Sequence, residues 1–162
     1  DAADDAEPLC RAFPGPAVLA EADVAAIGVP ARRADAVRAL SRAVADGVLS
    51  LSPGTDPEAT REALLAIPGI GPWTAAYIAM RALREPDAFP GGDLVLRRMA
   101  AGGAGPIPER ALVARAEAWR PWRAYAVVAL WRAAATTARA RGSAARTHAA
   151  PARRIGARAG AP

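Results

Sequence analysis

The stretch Ile67-Pro-Gly-Ile-Gly-Pro-Trp-Thr-Ala75 limits this chain more than any other. It lies between two segments of helical apolar spacing. Its prolines and glycines stop one helix, turn the backbone and start the next. Gly69 and Gly71 permit backbone conformations that a Cβ would penalise. Ile70, held between them, is expected to plug back into the core between the helices. The tight turn is expected to leave backbone N–H groups pointing outward at the start of the following helix. Such a concave group of donors, at the positive end of a helix dipole, suits an anionic oxygen. Thr74 adds a hydroxyl in the first turn. Nothing in the stretch reads a base, so a nucleic-acid contact made here would be sequence-neutral.

The flanking chain reads as helix throughout. Asp23 can cap a short turn through Ile27. Pro30 opens a helix whose Ala34, Val37, Leu40, Ser41 and Val44 share a face, ending at Gly47. Asp56-Pro57-Glu58 combines a carboxylate cap, a first-turn proline and an acid near the dipole's positive end, and the helix it starts breaks at Pro68. Further helices are predicted over Pro72–Arg84, after Asp93, and over Pro108–Trp119 and Pro121–Arg139. No alternating β-branched segment of useful length occurs, so the predicted class is all-α. Apolar residues make up 52% of the 162, enough to build one packed domain over residues 8–141. Residues 1–7 read as an acidic, frayed leader. Residues 142–162, rich in Ala, Arg, Gly and Pro, read as a disordered tail whose lone His148 is solvated.

Charge and cysteine content narrow the partners. The chain has 21 basic and 16 acidic residues. The four acids within 1–7 and the four arginines within 142–162 cancel, so the excess of +5 resides on residues 8–141. A basic domain is suited to a polyanion. All of its cations are arginines, for the chain contains no Lys. A single cysteine, Cys10, excludes an internal disulfide, a four-cysteine zinc site and an iron–sulfur cluster ligated by four of its own thiolates. Cys10 itself reads as a small apolar residue. No apolar run reaches the ~18 residues of a spanning helix, and no signal pattern opens the sequence. The expected setting is the cytoplasm, with no membrane partner.

Twenty-two positions past Gly71, the segment Phe89-Pro-Gly-Gly-Asp93-Leu-Val-Leu-Arg97-Arg98 places an acid after a Gly/Pro loop. Locally Asp93 is a good helix N-cap. The stretch around Gly69 and Gly71 resembles the helix-hairpin-helix signature of DNA repair proteins. With Asp93 at this spacing, it resembles the helix-hairpin-helix-GPD glycosylase superfamily. Gly69-Ile-Gly-Pro-Trp-Thr-Ala-Ala-Tyr77, Phe89-Pro-Gly-Gly-Asp93, Trp119-Arg-Pro-Trp-Arg-Ala-Tyr125 and Trp131 are similar to the DNA-3-methyladenine glycosylase II family within it. The resemblance extends over roughly Cys10–Arg139.

That resemblance implies a monomeric, monofunctional enzyme that hydrolyses the N-glycosidic bond of alkylated bases in duplex DNA. It makes Asp93 the catalytic carboxylate, steadying positive charge on the deoxyribose. It places Trp73, Tyr77 and Trp131 around the extruded base, and Pro68, Gly69, Gly71 and Thr74 on the DNA backbone. The carbonyls of Ile67 and Ile70 become candidates for holding a monovalent cation, and no organic cofactor or catalytic metal is implied. Relatives that also cut the backbone carry a Schiff-base Lys where this chain has Trp73. Trp119, Trp122 and Tyr125 are expected to be core aromatics. The family domain has further helices before the region equivalent to Cys10. This chain is therefore expected to be its C-terminal part, with apolar surface open where those helices would pack. A DNA-backbone-binding module without chemistry is the alternative.

Overall fold

The computed structural model describes residues 12–102 and 105–148, with side chains described through residue 140. The leader 1–7, Cys10 and residues 149–162 lie outside the described residues, as does the side chain of His148. The described chain is helical, without strands: α1 (Pro16–Glu21), a 3-10 turn (Val24–Ile27), α2 (Ala31–Ala45), α3 (Pro57–Leu65), α4 (Pro72–Arg81), α5 (Leu94–Met99), α6 (Glu109–Ala116), a 3-10 turn (Glu117–Trp119) and α7 (Arg123–His148). No helix among the described residues is long and apolar enough to cross a membrane.

The helix starts follow the local chemistry. Asp23 Oδ1 accepts from the N–H groups of Ala25 and Ala26, both at 3.2 Å. Asp56 Oδ1 accepts from Glu58 N–H at 3.0 Å, ahead of Pro57 at the first helical position. Asp93 caps α5 in the same way.

Two apolar clusters organise the packing, and α4 belongs to both. Ala36, Leu49, Leu64, Ile70 and Ala75 form the first, between α2, α3 and the start of α4. Met80, Leu96, Leu112, Ala124 and Val127 form the second, between the end of α4 and α5, α6 and α7. The small side chains of Ala75 and Ala79 let helices approach α4 closely, and both are buried. Ile70 is 8% exposed, plugged into the first cluster as its position between two glycines required.

Several boundaries differ from expectation. α1 has no counterpart in the sequence reading; its Ala20 is buried, and Arg42 of α2 donates to Ala20 O at 3.1 Å and Glu21 Oε1 at 2.9 Å. α4 stops at Arg81 rather than Arg84, because Arg84 takes a left-handed φ of 58° and turns the chain. On α2, Ala36 is buried while Val37 is 37% exposed, since the Gly69 turn docks against the alanine. α7 runs through His148, seven residues into the segment read as tail. Ala and Arg favour helix by intrinsic preference.

Candidate active site and backbone-binding hairpin

The turn between α3 and α4 is built around three consecutive residues. Gly69 has φ +94°, a region that favours glycine, and a Cβ there would lie 3.0 Å from Ala36 Cβ and 3.4 Å from the Arg32 carbonyl. Ile70 N–H turns inward to Ile67 O at 3.1 Å. Gly71 is extended (φ −99°, ψ 175°) and caps α4 without a side-chain bond. Consequently the donors are not all outward, as the sequence suggested. Ile70 spends its N–H internally, while the N–H groups of Gly69 and Gly71 make no internal bond among the described residues. The uncapped first turn of α4 adds open donors beside Thr74. Pro68 and Gly69 are exposed, and Gly71 and Thr74 are partly so.

Asp93, the N-cap of α5, is 7% exposed. Its Oδ1 accepts from Leu96 N–H at 2.9 Å, and its Oδ2 accepts from Trp73 Nε1–H at 2.9 Å. Both carboxylate oxygens are thus held, one by the backbone of α5 and one by the indole. The preceding loop is equally constrained. Asp93 N–H donates to Pro90 O at 2.9 Å, Pro90 is fully buried, and a Cβ on Gly91 would stand 2.8 Å from Val113 Cγ2. Behind that loop, Asp87 binds Arg123 at 2.7 and 2.8 Å and Arg120 at 2.6 Å, tying the start of α7 to it. Burial by itself would raise the Asp87 carboxyl. The hydrogen bonds and charges of Arg123, with the charge of Arg120, outweigh that and hold it below its ordinary value.

The aromatics predicted for a base pocket come together. Trp73 and Tyr77, one turn apart on α4, stack with centroids 5.3 Å apart and planes 14° off parallel. Trp131 of α7 lies 5.9 Å from Tyr77 at 43°. Trp73 is 43% exposed and Tyr77 36%, so the cluster opens to solvent, while Trp131 is half-buried against the second core. Asp93, Trp73, Tyr77 and Trp131 therefore form one contiguous chain of contacts, joined to the hairpin through Trp73.

Two expectations fail. Trp122 and Tyr125 are not core residues; they are 58% and 65% exposed and meet each other edge to face at 5.7 Å. Helical phase explains Tyr125, because Ala124 and Val127 are the positions of α7 that face the second cluster, and Trp122 precedes that helix. Trp119 alone behaves as expected, half-buried and edge-on to Phe89 at 6.2 Å. The bond from Trp73 to Asp93 is the feature the sequence reading missed, since it cast the indole only as a pocket wall.

No protein-family model matches the chain. Curated relatives do. A probable bifunctional transcriptional activator/DNA repair enzyme AlkA of Mycobacterium tuberculosis is 46% identical over 123 residues, covering 76% of this chain and 25% of the relative. DNA-3-methyladenine glycosylase 2 of Escherichia coli is 35% identical over 122 residues, covering 74% of this chain and 42% of the relative. The chain thus spans a quarter to under half of the length of these curated relatives. Among solved structures, the 3-methyladenine DNA glycosylase Mag1 of Schizosaccharomyces pombe, in complex with abasic DNA, superposes with a TM-score of 0.64 at 26% identity, over 74% of this chain and 63% of that one. Over about three-quarters of its length, this chain is similar in sequence and fold to the AlkA-type DNA-3-methyladenine glycosylases.

Proposed function

We propose that this domain is the backbone-gripping and base-excising part of a monofunctional DNA glycosylase, acting as a monomer on alkylated purines in duplex DNA in the cytoplasm. One observation carries the reading. Trp73 follows the hairpin glycines by two residues, holds Asp93 and stacks on Tyr77, so α4 connects the phosphate grip to the carboxylate and to the aromatic pocket.

The chemistry follows from that arrangement. Lengthening the bond from C1′ to the base nitrogen builds positive charge on the deoxyribose, and the Asp93 anion is placed to offset it. The bonding pair leaves with the purine and cancels the charge that alkylation put there, so no acid need protonate the base. Water then bonds to C1′ and gives up a proton, leaving an abasic sugar, with Asp93 orienting or accepting from that water. The chain has no Lys with which to form a Schiff base and go on to cut the strand. The faces of Trp73, Tyr77 and Trp131 favour a cationic purine over a neutral one by about 0.5–2 kcal/mol per good stack.

The hairpin supplies the grip through the N–H groups of Gly69 and Gly71, with the Thr74 hydroxyl and Pro68 alongside. Among the described residues, Ile70 O accepts no backbone bond outside the regular helical ones, and Ile67 O keeps one lone pair beyond its bond from Ile70 N–H. Neutral carbonyl oxygens of this kind fit a monovalent cation, which Ile67 and Ile70 would hold. When bound, it supplies positive charge for a phosphate oxygen.

The test is release of 3-methyladenine from methylated duplex DNA, with Asp93→Asn lowering the rate by at least ~100-fold. Native-level release by Asp93→Asn would refute the role of Asp93. A second reading, DNA grip without excision, is favoured by the 7% exposure of Asp93. It requires duplex binding with no base release from heavily methylated DNA.

A further inference from the structure

Beside the hairpin, the first turns of α2 press against the Gly69 backbone, with Ala36 and the Arg32 carbonyl at the contact. This docking leaves a groove of about 470 Å³ whose walls include Arg33 and Leu40 from α2, Gly69 from the turn, and Trp73 and Thr74 from α4. Arg33 is exposed, and among the described residues it makes no ion pair or side-chain hydrogen bond. It contrasts with Arg38 on the same helix, which is paired with Asp35 at 2.8 Å. A free guanidinium therefore lines the same groove as the hydroxyl-bearing first turn of α4 and the left-handed glycine. Among the described residues, no carboxylate lines that groove.

We propose that Arg33 is a second phosphate-binding residue, which clamps the DNA strand from α2 while the hairpin holds it through backbone N–H groups. The proposal rests on the DNA-binding reading above and adds to it a side-chain cation from a different helix. Its logic is charge complementarity. Backbone donors carry only partial charge, whereas a guanidinium brings a full charge and a planar fork matched to phosphate oxygens. Because Arg33 lines the groove on the hairpin's flank, its contact is with the backbone of the strand and confers no base preference. Its anchoring is rigid, since α2 is fixed to the turn by the Ala36–Gly69 approach.

Each phosphate contact by a cation steepens the salt dependence of DNA binding by about 0.9 in log–log slope. The experiment is fluorescence-anisotropy titration of an undamaged duplex across a salt series, with thermal melts run in parallel. Arg33→Gln is expected to lower the slope by about one and weaken binding five- to tenfold at about 0.1 M salt, with an unchanged melt. Arg33→Lys should keep the slope, because a point charge suffices for counterion release. Arg38→Gln removes the same charge from another face of α2 and should leave the slope unchanged. A wild-type slope in Arg33→Gln, or an equal fall in Arg38→Gln, would overturn the clamp while leaving the hairpin reading intact. Failure of the wild-type chain to bind duplex at low salt would overturn both.

Discussion

Trp73 Nε1–H donates to Asp93 Oδ2 at 2.9 Å, so the residue two positions past the hairpin holds the carboxylate that starts α5. This bond links elements that are twenty residues apart in sequence. It ties the carboxylate at the start of α5 directly to the helix that follows the phosphate grip. A pocket wall that also holds the acid is sensitive to changes that preserve its aromatic face.

Trp73→Phe tests that dual role. Phenylalanine keeps an aromatic ring over Tyr77 but has no N–H for Asp93. Loss of a hydrogen bond to a charged group costs about 1.5–3 kcal/mol where it is covered from water. Base release is expected to fall at least tenfold, while duplex affinity stays within about twofold. A rate equal to wild type would show that the indole bond does not matter to the carboxylate.

The two hairpin glycines should separate stability from binding. Gly69→Ala forces a Cβ into a left-handed residue, costing about 1–2 kcal/mol, and against Ala36 Cβ at 3.0 Å. It should lower the melting temperature and weaken DNA binding together. Gly71→Ala meets nothing within 4 Å and has an ordinary φ, so the melt should hold. Its methyl group nonetheless stands where a phosphate must approach the backbone, and binding alone should fall. Equal effects of the two changes on the melt would contradict this geometry.

Gly91→Ala should displace the loop that presents Asp93, because its Cβ would meet Val113 Cγ2 at 2.8 Å. Overpacking of this kind costs about 1–3 kcal/mol. Val113→Ala makes room, so the double variant should regain both stability and base release relative to Gly91→Ala alone. A double-mutant cycle on chemical denaturation measures the coupling.

Asp87 links stability to pH. Its carboxyl is held below its ordinary value in the folded state, chiefly by Arg123 against the cost of burial. The stabilisation is therefore complete above the unfolded pKa of about 3.9 and is lost as pH falls through the lower folded value. Melting temperature against pH should drop on the acid side for wild type. In Asp87→Asn it should start lower and show a shallower acid limb. An acid limb unchanged by Asp87→Asn would assign the effect to other carboxylates.

Much of the fold was legible because its signals are local. A carboxylate next to a helix start, as at Asp23, Asp56 and Asp93, satisfies N–H groups two or three residues away whatever the rest of the chain does. The Ile70 plug was legible for the same reason, since flanking glycines leave a single large side chain to bury. α1 was not, because a six-residue helix has little intrinsic stability and forms by packing on α2. Tyr125 was misread because apolar character says nothing about phase. Only the position of α5 and α6 against Ala124 and Val127 decides which side of α7 faces inward.

By itself the sequence determined the helices' starts, the Gly69–Gly71 turn and the residue types available for a carboxylate and an aromatic pocket. Each of these depends on dihedral preference, hydrogen-bonding capacity or ring chemistry within a few residues. Tertiary packing alone decided that the Trp73 indole reaches Asp93. It also decided that Arg33 lines the hairpin's groove, with no carboxylate among the described lining residues. Those relations join residues far apart along the chain. Their distances are set by how α2, α4 and α5 share two apolar clusters, a many-body outcome that no local preference encodes.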